Sequence, residues 1–172
     1  MKKILTILYL IFLILLIFTL QITLIDGRTI LGVKPNLILI TVIVVSLWFG
    51  LYAGSFYGLA IGIVTDILFG NGVGMFTILY SIIGVLIGFF SYNYRKENKI
   101  ALVYVTIIAT IVFEFIQYII YFAISGHYNS LLYWLYQIFA TSVLNVVIVF
   151  IVYSLLYKIL SFFENRLSMM EM

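Results

Sequence analysis

Apolar residues fill five stretches of the chain, 4–24, 37–70, 75–92, 100–124 and 131–163, and polar residues gather in the short gaps between them. Such stretches read as membrane helices, since a crossing takes about 20 largely apolar residues and at least roughly 17. The second stretch is ambiguous. As one helix it would run about 51 Å at 1.5 Å per residue, against a hydrocarbon core about 30 Å thick. Two short helices, 37–51 and 54–70, would each reach roughly 23 to 26 Å, with a tight turn near Tyr52, Ala53, Gly54 and Ser55. The pattern therefore predicts an all-α, polytopic membrane protein of six transmembrane helices, at about 4–24, 37–51, 54–70, 75–92, 100–124 and 131–160, forming a single integral membrane domain over 1–172. The short hairpin of the second and third helices needs bilayer thinning or shielding by its neighbours.

Charge tests that count, because short cytoplasmic loops collect Lys and Arg. With six spans and the N-terminus inside, Lys2, Lys3, Arg95, Lys96, Lys99, Lys158 and Arg166 fall on the cytoplasmic side, leaving Arg28 and Lys34 outside. Merging the second and third helices would put Arg95, Lys96 and Lys99 outside, against the rule. Six spans with both termini in the cytoplasm are expected. Composition agrees, with 66% hydrophobic and 9% charged residues and a mean hydropathy of +1.29, outside the range of soluble domains. Met1-Lys2-Lys3 and the apolar run after it look like a signal peptide, but the run is too long and no small-x-small cleavage site follows, so it reads as an uncleaved span. The chain has no cysteine and one histidine, His127 in a short loop. Nothing points to a metal, a cofactor or nucleic acid.

Gly54, Gly58, Gly62, Asp66 and Gly70 recur at every fourth position of the third helix. Glycine at this spacing clears one helix face for the close approach of another backbone, and an ionisable residue on that face costs roughly 3 kcal/mol at the bilayer centre unless it meets protein or water. Because a four-residue step overshoots a 3.6-residue turn by about 40°, the stripe is a slow spiral. It reads as a partner or helix-packing face. Gly84 and Gly88 repeat the spacing in the fourth helix, which makes packing between these two helices one explanation. Asp66 is either hydrogen-bonded at the helix end, capping the turn at Gly70, Asn71 and Gly72, or paired with a cation such as Arg28 or Lys34. Pro35 and Asn36 form a start signal for the second helix, with Asn36 as its cap.

Deeper in the bilayer, Thr110, Glu114, Gln117, Tyr118 and Tyr121 share a face of the fifth helix, and Gln137, Thr141 and Asn145 form a matching row on the sixth. The two rows are placed to hydrogen-bond across the bundle. Glu114, Gln117 and Asn145 are the intramembrane polar candidates, for structural hydrogen bonding or for a ligand or proton. With no Lys or Arg nearby in the sequence, Glu114 is expected to be protonated, since an isolated carboxylate is costly in a low dielectric. Tyr128, Tyr133, Trp134 and Tyr136 at one interface, and Tyr92, Tyr94 and Tyr157 at the other, read as ordinary aromatic belts.

Lys34-Pro35-Asn36-Leu37, the short apolar helix after it, the Gly50, Gly54, Gly58, Gly62 and Asp66 register, and the Gly70-Asn71-Gly72-Val73-Gly74 turn together resemble the MreD family of bacterial rod shape-determining membrane proteins. The specific part covers roughly residues 34 to 90. Pro35, Gly54, Gly58, Gly62 and Asp66 correspond to the family pattern. The resemblance implies a non-enzymatic membrane scaffold of the cell-elongation machinery that binds the bitopic protein MreC and couples MreB filaments to peptidoglycan synthesis, alongside the RodA glycosyltransferase and its transpeptidase. It also implies an architecture similar to the substrate-binding (S) subunits of energy-coupling-factor vitamin transporters. On the physical side, the face around Gly58 and Gly62 is where a partner's span is expected to dock.

A vitamin-binding membrane subunit is the leading alternative, since such proteins share the size and span number. It is disfavoured because residues 4–24 lack the Ala-xxx-Ala contact typical of those subunits. An intramembrane protease lacks its parts here, with one His, no Cys and no His-Glu-x-x-His motif. A channel or proton carrier has only Asp66 and Glu114 in its favour.

Overall fold

The computed structural model describes residues 16, 18–21, 32–69, 74–93, 98–125 and 130–168, and the extended elements among them are all helices, with no β-strand. The long helical run Leu37–Phe69 breaks at Gly50, whose φ of 82° and ψ of −169° are non-helical. That combination is essentially restricted to glycine. We name its two arms α1 (37–49) and α2 (51–69). They are followed by α3 (Met75–Phe90), a 3₁₀ turn at Ser91–Asn93, α4 (Lys99–Ser125) and α5 (Leu131–Ser168). Of the first apolar stretch only Leu16 and 18–21 are described; the remainder, the turn 70–73, Arg28, Arg95, Lys96 and His127 lie outside the described residues.

At Gly50 the chain folds back on itself. Ser46 and Gly54 would stand about 12 Å apart in a straight helix, yet a Cβ built on Gly54 would meet the Ser46 Cβ at 2.7 Å. Farther from the bend, the Tyr57 hydroxyl reaches the Thr41 side chain. The reversal falls at Gly50 and not at the expected Tyr52–Ser55 stretch, because within 37–69 Gly50 alone adopts a positive φ while 51–69 stays helical. By length and apolarity Leu37–Phe69, Lys99–Ile120 and Leu131–Ser154 are each able to cross a membrane, with Met75–Phe90 a shorter apolar helix. For Leu37–Phe69 that length is the sum of two antiparallel arms.

Every residue of α1 from Ile38 to Trp48 is buried, whichever way it points. An apolar helix without a polar side belongs at the centre of a bundle, and α1 is the axis round which the others pack. Its shortness is then tolerable, since everything from Ile38 to Trp48 meets protein and only Phe49, at its far end, is exposed. By contrast α2 buries one stripe, Gly54, Tyr57, Gly58, Ile61, Gly62 and Thr65, and turns Phe56 and Ile67 outward. Tyr80 on α3 is 2% exposed and joins the layers, with its ring stacked on Phe76 at 6.1 Å and on Phe113 of α4 at 5.3 Å.

Candidate functional site

The glycine stripe of α2 lies against α3 with almost no side-chain atoms between the two backbones. A Cβ on Gly58 would sit 2.7 Å from the Tyr80 carbonyl carbon, one on Gly62 2.8 Å from the Phe76 carbonyl oxygen, and one on Gly54 2.9 Å from the Gly84 carbonyl oxygen. The approach is reciprocal, since Cβ atoms on Gly84 and Gly88 would meet the Gly54 carbonyl carbon and the Leu51 nitrogen, each at 2.8 Å. Lipid offers no hydrophobic force to join helices, so this close backbone packing is what holds α2 and α3 together. The face on which a partner's span was expected, around Gly58 and Gly62, is thus occupied by α3.

Asp66 sits at the end of this seam, half-buried. Its Oδ1 accepts the Phe76 N–H at 3.0 Å, and its Oδ2 accepts the Thr77 N–H at 2.8 Å and the Thr77 hydroxyl at 2.6 Å. The carboxylate therefore closes the start of α3, where unpaired N–H groups and the positive end of the helix dipole favour an anion. It reaches across the turn to the next helix, whereas one of the two expectations had a helix-end carboxylate capping the turn itself and the other a carboxylate paired with a cation.

A second polar node closes the start of α1. Asn36 caps the helix through its Oδ1, which accepts the Leu39 N–H at 2.8 Å. The Asn36 N–H is donated to Asn145 Oδ1 at 3.0 Å and the Leu37 N–H to Gln21 Oε1 at 3.0 Å, while Gln21 Nε2 donates to the Pro35 carbonyl at 3.3 Å. Asn36 Nδ2 also donates to the Tyr80 hydroxyl at 3.1 Å. Asn145, fully buried, spends its amide on Thr110 Oγ1 at 3.1 Å. A helix start inside a bilayer must find its partners in protein; here Asn145 and Gln21 take the Asn36 and Leu37 N–H groups, and Tyr80 holds the capping Asn36 side chain. Pro35 places no N–H at this crowded point.

The rows on α4 and α5 do meet. Besides Asn145 and Thr110, Gln137 Nε2 donates to Glu114 Oε2 at 3.4 Å, a long contact. Next to it Trp134 packs on Tyr118 at 4.8 Å between ring centroids. Glu114, Gln117 and Gln137 line a cavity of about 440 Å³ that also touches Asn36, Tyr80 and Phe113. Tyr121 belongs to the same row, but its side chain lies outside the described ones. Among the described residues no group of three or more His, Cys, Asp or Glu is placed to hold a metal ion.

A family model described as rod shape-determining protein MreD matches residues 1–162. The chain belongs to the MreD family. Its membership brings a role in rod shape determination and a place in the bacterial membrane, in accord with helices long and apolar enough to cross one. No curated protein and no solved structure matches the chain. Within this MreD-family chain, sequence reasoning missed Tyr80 and Thr77. Both lie on the face of α3 that carries Gly84 and Gly88, at the 77, 80, 84, 88 spacing of one helix side, which is the signal that would have found them.

Proposed function

We propose that this protein is a non-enzymatic scaffold of the bacterial elongation machinery, binding an MreC-like single-span protein and helping couple cytoplasmic MreB filaments to peptidoglycan synthesis by RodA and its transpeptidase. The observation that carries the reading is the family match through nearly the whole chain. The polar gaps between apolar stretches are too short for a soluble domain, so membrane-embedded surface is what the chain has to offer a partner. In this reading the protein is one membrane domain of six spans with both termini in the cytoplasm, as its Lys and Arg distribution favours. The partner's span then docks on a surface other than the glycine seam, which α3 covers.

The test is to cross-link tagged protein in native membranes, purify it in mild detergent and identify what comes with it. Recovery of an MreC-like single-span protein is the expected result. Recovery of a transporter membrane subunit with its ATPases, and no MreC-like protein, would overturn the reading.

A further inference from the structure

The helices α3 and α4 meet where the Tyr80 ring stacks on Phe113 at 5.3 Å. Beyond that stack they part. From Ile83 to Phe90 on α3, and from Val112 back to Val105 on α4, they frame a groove of about 190 Å³ with no polar atom on its walls. Ile83, Ile87 and Ala109 form its floor, none more than 5% exposed, and Leu86, Phe90 and Ile108 stand at its rim, 48 to 66% exposed. It runs roughly 10 Å along the helices at 1.5 Å per residue.

Such a groove is filled by apolar matter in a bilayer, because an empty one leaves its wall atoms without contact partners. Its walls decide between a helix and a chain of methylenes. Membrane helices approach one another over small residues, and on these walls Ala109 is the one such residue, set beneath the rim of Leu86, Phe90 and Ile108. That rim holds a partner's backbone away, whereas a flexible acyl chain lies down between its members.

Charge selects the lipid. The end of the groove at Phe90 and Val105 faces the connection between α3 and α4, and Lys99 opens α4 six residues before Val105, roughly 9 Å along the axis. Lys99 is exposed and has no ion pair among the described residues. The helix start is already capped, since Asn98 Oδ1 accepts the Ile100 and Ala101 N–H groups, each at 3.1 Å. The Lys99 ammonium is therefore the group left to meet an anion there, with the positive end of the helix dipole behind it. In sequence the same connection carries Arg95 and Lys96 against Glu97, which makes this end of the bundle positive. Basic residues where a cleft between membrane helices opens at the cytoplasmic surface attract anionic headgroups.

We propose that the α3–α4 groove is a binding site for an anionic phospholipid, with one acyl chain lying in the groove and the headgroup phosphate meeting Lys99. The site is separate from the glycine seam and from the cavity beside Glu114, and it does not rest on the scaffold reading.

The full chain in mild detergent is melted with increasing dioleoyl phosphatidylglycerol, and with dioleoyl phosphatidylcholine as a control of equal chains and no net charge. A dose-dependent rise in melting temperature is expected, at lower concentration with phosphatidylglycerol. Lys99→Gln should move the midpoint of that rise about fivefold higher in lipid, the worth of one cation near an anionic surface. Ala109→Leu fills the groove from its floor and should abolish the preference; Ile108→Trp crowds the mouth from an exposed position and keeps the test decisive if Ala109→Leu folds poorly. No rise, equal responses to the two lipids, or a phosphatidylglycerol response unchanged in Lys99→Gln or in both groove variants would overturn the proposal. A discrete protein adduct from photoreactive benzoylphenylalanine placed at Ile108 in native membranes would overturn it too, by giving the groove to a partner's span.

Discussion

Replacing Gly58 with alanine adds one methyl group at the tightest part of the α2–α3 seam. Its carbon would stand 2.7 Å from the Tyr80 carbonyl carbon and closer still to the carbonyl oxygen. Carbon atoms in contact keep about 3.5 to 4.0 Å, and the atoms in the way are backbone, with no rotamer to change. The helices must therefore separate by roughly 1 Å, and the separation spreads to Gly54 against Gly84 and Gly62 against Phe76 and Thr77. Overpacking of this kind costs about 1 to 3 kcal/mol, and a rigid obstacle on both sides puts Gly58→Ala near the top of that range. On the scaling of soluble domains of about 150 to 250 residues, 3 kcal/mol is roughly 6 to 12 °C of melting temperature. The assay is thermal melting in mild detergent of wild type, Gly58→Ala and Ala60→Leu. Ala60 lies two residues along on the exposed side of α2, so a larger side chain there meets only detergent or lipid. Gly58→Ala melting together with wild type, or Ala60→Leu losing as much, would refute the backbone seam.

Asp66→Ala removes the acceptor of two N–H groups and a hydroxyl at the start of α3 and is expected to cost about 2 to 3 kcal/mol in the same melt, whereas Thr77→Val loses only the hydroxyl bond and costs about 1 kcal/mol. Asn145→Leu strips the Asn36 N–H and Thr110 of their partner in a fully buried place; a loss of about 2 to 3 kcal/mol is expected, and Thr110→Val added to it should cost little more if the two act as a pair. Gly50→Ala forces a side chain onto a backbone region that only glycine adopts freely, so a loss of about 1 to 3 kcal/mol is expected, read as reduced melting temperature and membrane yield. The fold-back at Gly50 also places Lys34 and Met75 toward the same end of the α1–α2 hairpin, so both are expected at one membrane surface. Since the chain has no cysteine of its own, Lys34→Cys and Met75→Cys can be labelled singly in intact cells with an impermeant maleimide. Both should react or both stay silent; opposite behaviour would show a single straight helix through 37–69.

Much of the helical layout could be read directly from hydropathy, because the thickness of a bilayer is a ruler. A run of 34 apolar positions at 37–70 is too long for one crossing and had to fold, and the glycine and aspartate register marked one face of its second arm. The start of α1 was equally legible, since Pro35 and Asn36 are local signals whose effect does not depend on distant residues. The break itself was placed a few residues late, because Gly50 and Gly54 are both glycines in an apolar run. Only the fold reveals that one supplies the positive φ and the other the close contact with Ser46.

What surrounds each helix was decided by the tertiary structure alone. In a soluble protein the polar side of a helix announces its exposed face, but α1 is apolar on every side and so is most of the surface that meets lipid, so burial leaves no periodic trace. Nothing local distinguishes α1 as the central helix, gives Gln21 and Asn145 the task of closing its first turn, or carries Asp66 across to Phe76 and Thr77. Those partners lie 10 to 109 residues apart. They meet because a backbone group inside a membrane has no water to bond and must find its partner in the packed protein.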